Sequence, residues 1–239
     1  MAKKPAPFHF QKFSIKHDRC AHKVGTDGIL LGSWLELDIP NASILDFGSG
    51  SGLISLILAQ RFPASKILGL EIDKNSWEQA EENRLNSPFA AQIKFENKDL
   101  LEYDNSEKFD LIISNPPYFT SGIKSVKSER ARARHIESDV FRLWLNKLNE
   151  LLKTNGKLAL ILPTVLWQEE QGFLDQIGLY PIRICSVKHD ANSSPVRLLI
   201  ELNQMPEITV KSEELCLYQR DSKHLRSAEF QTLVKDLML

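Results

Sequence analysis

The chain has 239 residues, of which 42% are hydrophobic and 26% charged, and a net charge of -1. That balance suits a globular protein with a substantial core and excludes a wholly disordered or collagen-like chain. No apolar run approaches the roughly 20 residues that span a bilayer, and the start, Met1-Ala-Lys-Lys-Pro-Ala-Pro7, lacks the apolar stretch of a secretory signal. Three scattered cysteines, Cys20, Cys185 and Cys216, form no CxxC pair. They predict a reducing cytoplasmic setting without membrane attachment. Cys20 with His22, and Cys185 with His189, have metal-like spacing, but neither pair supplies four converging ligands. No metal is expected.

Hydrophobic periodicity begins at residue 43. Ser43 to Phe47 reads as a buried strand that hands over to Gly48-Ser-Gly-Ser-Gly52, and Leu53 to Phe62 then reads as a helix stopped by Pro63. Lys66 to Ile72 is a second strand, after which Asp73 caps a helix running to about Asn86. Ile93 to Phe95 is a short third strand. Phe109 to Ser114 is a fourth, stopped by Asn115-Pro-Pro-Tyr118. Residues 120–135 are polar and basic without periodicity, and read as a long loop. From Val140 to Lys153 the spacing is helical, with Phe141, Trp144, Leu145, Leu148, Leu151 and Leu152 as the packing face and Asn155-Gly156 as the stop. Lys157 to Leu162 is a fifth strand and Thr164 caps a helix to about Gln176. Two strands follow near 181–188 and 196–203. This alternation predicts an α/β fold: a doubly wound, mostly parallel seven-stranded sheet with helices on both faces and an antiparallel edge hairpin.

Asp46-Phe-Gly-Ser-Gly-Ser-Gly52 sits where a strand becomes a helix. Glycines there let the backbone turn sharply and approach a ligand without an intervening Cβ, which makes Asp46, Gly48, Ser49, Gly50 and Gly52 candidates for holding a cofactor. The spacing is not the GxGxxG of dinucleotide sites. A tight structural turn is the plain alternative. The next strand ends in Glu71-Ile-Asp73, where Glu71 is placed to accept hydrogen bonds from ribose hydroxyls. Asp73 has a competing role as helix cap. Asp99, with Leu100 beside it, follows the third strand, where the carboxylate would accept from an adenine amino group or simply face solvent. Together these residues describe an adenosine-containing cofactor without choosing between a nicotinamide dinucleotide and S-adenosylmethionine.

Asn115-Pro-Pro-Tyr118 makes that choice. A base's exocyclic amino group is a poor nucleophile because its lone pair is delocalised into the ring. The Asn115 oxygen and the Pro116 carbonyl can each accept one of its N–H bonds, while Pro116 and Pro117 lock the local backbone. Tyr118 offers a face on which a flipped-out base stacks. With these residues the chain resembles the class I S-adenosylmethionine-dependent methyltransferases that methylate amino groups. What the resemblance implies is that Asp46 to Gly52 and Glu71 hold the cofactor and Asn115 to Tyr118 hold the target.

Phe8 to Ile15 and Lys23-Val-Gly-Thr-Asp-Gly-Ile-Leu-Leu-Gly32 narrow the resemblance to the bacterial family that N6-methylates the adenine beside the anticodon of a valine tRNA. It covers most of the first 165 residues. In that family the second stretch closes over the cofactor, which implies that residues 1–40 cover the site, that 41–239 form the methyltransferase domain, and that Lys23, Thr26 and Asp27 lie near the cofactor. Thr26 or Asp27 would also cap a helix from Gly28 to Leu37. Lys124, Lys127, Arg130, Arg132 and Arg134, against one glutamate, suit phosphate contacts with RNA. The implied partner is tRNA, with no obligate protein partner. Competing targets are a ribosomal RNA guanine, a DNA adenine or a protein glutamine. A different class of reading is a non-catalytic RNA-binding module.

Overall fold

A computed structural model describes residues 5–20, 23–104, 107–117, 127–206, 209–220 and 224–238, and of 127–137 the backbone only. Two short strands, β1 (Phe8–His9) and β2 (Ser14–Ile15), pair at the start, followed by helix α1 (Thr26–Trp34). Strand β3 (Ser43–Phe47) leads into α2 (Leu53–Arg61), β4 (Lys66–Glu71), α3 (Lys74–Leu85) and β5 (Ile93–Asn97). Then come β6 (Phe109–Ser114), α4 (Lys127–Leu151), β7 (Leu152–Pro163) and α5 (Thr164–Gln176). The chain finishes with β8 (Tyr180–Lys188), β9 (Arg197–Asn203), β10 (Lys211–Cys216) and α6 (Ala228–Val234).

The strands from β3 onward form one sheet in the order β10-β8-β9-β7-β6-β3-β4-β5, in which only β9 runs against its neighbours. The α/β class and the parallel core are as expected. The sheet has eight strands among the described residues, one more than predicted. The antiparallel β8–β9 pair lies inside the sheet because β10 covers its outer side. β10 escapes periodicity because Lys-Ser-Glu-Glu-Leu-Cys is an edge strand with one buried apolar residue, Leu215.

Alternation along the strands sends residues to two cores. Ile44, Ile67, Leu111 and Ile161 join α1, α2 and α6 on one face, while Leu45, Leu70, Ile112 and Leu160 join Phe141, Leu145 and Leu148 of α4 and Leu174 of α5 on the other. The expected packing face is present for Phe141, Trp144, Leu145, Leu148 and Leu151, with Trp144 edge-on to Phe47 at 5.2 Å, while Leu152 joins the same core from β7.

Three local expectations need correction. Residues 127–135 are helical rather than loop, since α4 starts at Lys127. Ser-Glu-Arg-Ala-Arg-Ala-Arg lacks apolar period but consists largely of good helix formers. The helix ends at Leu151, not at Asn155-Gly156, and the next strand starts at Leu152 with a bulge opposite Phe109 to Leu111. Gly156 belongs to that bulge, where a Cβ would stand 2.8 Å from the Phe109 carbonyl. Thr164 is the first residue of α5 rather than its cap, and its hydroxyl donates to the Pro195 carbonyl at 3.0 Å.

Phe95 fills the space left by two other glycines. A Cβ at Gly69 would sit 2.3 Å from its ring and one at Gly52 would sit 2.8 Å away. Gly69→Ala should therefore lower stability by about 1–3 kcal/mol through overpacking, read as a drop in the urea midpoint at constant m-value. An unchanged midpoint would show that Phe95 swings aside freely.

Candidate active site

The chain reverses its direction of travel across the sheet between β3 and β6: β3, β4 and β5 succeed one another to one side, β6 and β7 to the other. A crevice opens outside the strand ends at such a point. Phe47 is level with both Leu70 and Ser114, so the glycine turn, Glu71 and Asn115 all emerge on one rim.

The turn itself is left-handed at Gly48 (φ 70°), Gly50 (φ 55°) and Gly52 (φ 80°). At Gly48 and Gly50 a Cβ would meet nothing within 4 Å, so both face open space. Gly52 instead gives its room to Phe95 and is a packing glycine between helix and sheet. The Gly48 and Ser49 amides donate to the Leu70 carbonyl at 2.9 and 3.1 Å. Glu71, buried, accepts from the Gly50 amide at 2.7 Å through one oxygen and from the Asp73 amide at 2.8 Å through the other. That carboxylate pins the turn to the end of β4.

Asp46 is fully buried on β3, and its Oδ2 accepts from the Ser55 amide at 3.0 Å and hydroxyl at 2.7 Å. Its Oδ1 has no partner among the described residues, and neither has the buried Ser49 hydroxyl. Burial pushes the Asp46 carboxyl up to about 7, against the Ser55 hydrogen bonds that pull it down and with Glu71 adding to the rise. Such an orphaned carboxylate oxygen under a glycine turn is suited to a donor or cation supplied from outside the chain.

Asp73 accepts from the Ser76 amide at 2.8 Å and caps α3, as its alternative role required. The Ser76 bonds hold its carboxyl below the usual range. Asp99 likewise caps a short turn, accepting from the Leu101 amide at 2.9 Å, with Leu100 buried beside it. Asn115, partly buried, follows β6, and the Ser114 hydroxyl ties that strand end to the Phe47 carbonyl at 2.8 Å. Pro116 is buried and Pro117 partly so. Tyr118 and Lys124 lie outside the described residues. Lys127, Arg130, Arg132 and Arg134 fall on the backbone of α4's first turns.

For the N-terminal candidates, the helix-capping expectation needs correction. The cap of α1 is Gly25, without a side-chain bond, so neither Thr26 nor Asp27 caps it; both lie in its first turn, and α1 ends at Trp34. Asp27 pairs with Arg197 at 3.0 Å, tying α1 to the start of β9. Lys23 donates to the carbonyls of His17 at 2.8 Å and Cys20 at 2.9 Å, which closes the 17–20 turn.

Sequence reading missed Asn83. Its buried side chain accepts from the Lys16 amide at 2.9 Å and donates to the carbonyls of Lys16 at 2.8 Å and Ser51 at 2.9 Å. That single amide clasps the N-terminal segment to the glycine turn. A polar residue within a polar helix gives no signal of such a bond.

The family model described as the methyltransferase small domain matches residues 20–174. The tRNA1(Val) (adenine(37)-N6)-methyltransferase of Histophilus somni (strain 2336) is 39% identical over 100% of this chain and 99% of its own length. The protein of the same name from Parabacteroides distasonis is 40% identical, covering 97% of each chain. Among solved structures, the predicted O-methyltransferase Atu636 of Agrobacterium tumefaciens superposes with a TM-score of 0.66 at 20% identity, covering 88% of this chain and 96% of that one. The last likeness establishes the fold: that of class I methyltransferases. The chain belongs to the methyltransferase small domain family, and within it to the group containing these tRNA1(Val) (adenine(37)-N6)-methyltransferases.

Proposed function

We infer that the protein transfers a methyl group from S-adenosylmethionine to the N6 of adenine 37 in a valine tRNA, in the cytoplasm. The observation that carries this is the shared rim, where an open glycine turn and Asn115-Pro-Pro117 meet at the switch point of a chain similar along its whole length to proteins of that name.

The residues present fit the cofactor. Gly48 and Gly50 leave open space for it, and Asp46 Oδ1 and Ser49 Oγ lack partners among the described residues. Asp46 would face its ammonium group and Glu71 its ribose. Asp99 and Leu100 would border the adenine, while residues 1–40, through Lys23, Thr26 and Asp27, would cover the site before the domain proper at 41–239. When bound, S-adenosylmethionine supplies an electrophilic methyl group. The Asn115 oxygen and Pro116 carbonyl accept the two N–H bonds of the target amine and aim its lone pair, so charge developing on nitrogen meets two fixed dipoles. Tyr118 stacks on the extruded base. The proton leaves to water, and no carboxylate base is needed.

Asp46 makes cofactor binding depend on pH. A bound cation favours the ionised carboxylate, so affinity should rise as pH climbs toward about 7, the value to which burial lifts the group. Folding stability runs the other way. The folded state holds a proton that the unfolded chain loses near the ordinary value of 3.8, so this group's contribution is full below that point and lost as pH rises through about 7. Calorimetric titrations of Asp46→Asn should show the affinity slope abolished, and its stability relative to the native chain should grow across the same window. A slope that persists would remove Asp46 from the cofactor site.

Lys124, Lys127, Arg130, Arg132 and Arg134 would contact tRNA phosphates. Neutralising the three arginines together should weaken tRNA affinity and flatten its salt dependence by up to about three phosphate contacts' worth of slope. An unchanged slope would return the segment to solvent.

An unmodified transcript of the valine tRNA should accept one methyl group per molecule, and a transcript with guanine at position 37 should accept none. Equal labelling of both would overturn the assigned target.

A further inference from the structure

The rim beyond Asn115 carries a second set of side chains that methyl transfer leaves without a role. β7 ends at Pro163 opposite Arg197, the first residue of β9, and β8 ends at Lys188 opposite Cys216, the last of β10. These ends lie on the Asn115 edge of the sheet. The ladder continues past them, with the Leu217 amide on the Lys188 carbonyl at 3.0 Å and the Tyr218 amide on the His189 carbonyl at 2.9 Å. There the His189 ring stacks on Tyr218, centroids 4.7 Å apart and planes at 27°, and the Arg226 guanidinium stands 4.4 Å from the same tyrosine. His189 keeps 48% of its side chain exposed.

Two exposed aliphatic residues lie on the backbone at the strand ends between this stack and Asn115. Val165, in the first turn of α5, is 63% exposed and Val196, just before β9, is 56% exposed. They belong to adjoining backbone, because the Thr164 amide donates to the Val196 carbonyl at 3.4 Å and the Val196 amide to the Val187 carbonyl at 3.1 Å. Three strand spacings separate β6 from β8, about 14 Å across. His189 stands five residues beyond Ile184, the β8 residue level with Ser114 through β7 and β9, or about 16 Å further out. Several nucleotides of an extended RNA loop cover that span.

Single exposed aliphatic residues need no explanation, but two of them on the same rim as a half-exposed aromatic stack call for one. Unpaired bases stack on aromatic rings and pack against apolar side chains, and a guanidinium beneath an aromatic ring adds positive charge that suits the phosphates between them. A paired stem, which offers mainly phosphates and sugars, would gain nothing from the valines. We propose that Val165, Val196, His189 and Tyr218 form a stacking track for the unpaired nucleotides that flank the target base in an RNA loop. The proposal rests on the tRNA reading above.

Steady-state kinetics of the full chain on an RNA stem–loop bearing the target adenine test it. His189→Ala should raise the KM for RNA about tenfold and Val196→Ser should raise it in the same direction, with kcat at saturating RNA and the KM for S-adenosylmethionine unchanged. His189→Trp, which enlarges the stacking face, should restore the native KM or lower it. Unaltered KM in both the alanine and serine variants, beside a native chain that methylates the stem–loop, overturns the track alone. So does a loss in His189→Ala that tryptophan fails to restore, since that marks a structural role. A native chain that methylates no RNA overturns the tRNA reading and the track together.

Discussion

Asn115→Ala is expected to abolish methyl transfer while cofactor binding survives. The residue follows β6 directly, on a strand end locked by the Ser114 hydroxyl and followed by the buried Pro116. Removing its amide would delete one of the two acceptors proposed to aim the target nitrogen, but leaves the glycine turn and Glu71 untouched. Loss of one such fixed dipole costs about 10²–10³ in kcat, and misaiming the nitrogen adds to it. The dissociation constant for S-adenosylmethionine should stay within about threefold of native, a change of under 1 kcal/mol. Asn115→Asp keeps an acceptor at the same place and should lose less. Parallel loss of turnover and cofactor affinity would make Asn115 a structural residue of the crevice.

Gly50→Val should have the opposite signature. Gly50 has φ 55°, and a Cβ there would project into space that no described atom occupies within 4 Å. The protein itself therefore meets no clash, and the folding cost is left-handed strain of about 1–2 kcal/mol, more for a β-branched side chain. A cofactor held at the turn, as proposed, would meet the whole valine. S-adenosylmethionine affinity should fall by about two orders of magnitude or more, since the backbone can no longer approach it. Gly69→Ala provides a contrast, because its Cβ runs first into Phe95, at 2.3 Å, and only then touches the turn at Ser49, 3.1 Å away, so its main effect is on stability. Calorimetry on a folded Gly50→Val chain separates the two effects. Native cofactor affinity there would move the site away from the turn.

The strands that carry the site were readable because each is an apolar run with a sharp boundary. Ser43–Phe47 stops at glycine and Phe109–Ser114 at Asn115-Pro116, and the structure keeps both bounds. Asp73 was readable as a cap because its bond to Ser76 is local. What periodicity could not give depends on propensity or on distant partners. The first turns of α4 are helical without an apolar stripe among their Arg, Ala and Glu residues. β10 is a polar edge, visible only once β8 is in place to pair with it. Asp27 finds Arg197 across 170 residues, and Asn83 reaches Ser51 from the last turn of a polar helix. Neither contact leaves a trace in local spacing. The Gly52 position carries a subtler lesson. Three alternating glycines look equivalent in sequence, yet two face open space and the third makes room for Phe95.

Methyl transfer to tRNA is tested most directly by mass spectrometry of nucleosides from total tRNA incubated with the protein and methyl-labelled S-adenosylmethionine. Methyl transfer to adenine 37 predicts label in N6-methyladenosine, at one position of a valine tRNA. Label confined to guanosine, or to DNA or protein included as competing targets, would contradict the assigned target, and the absence of label from every substrate would contradict methyl transfer itself.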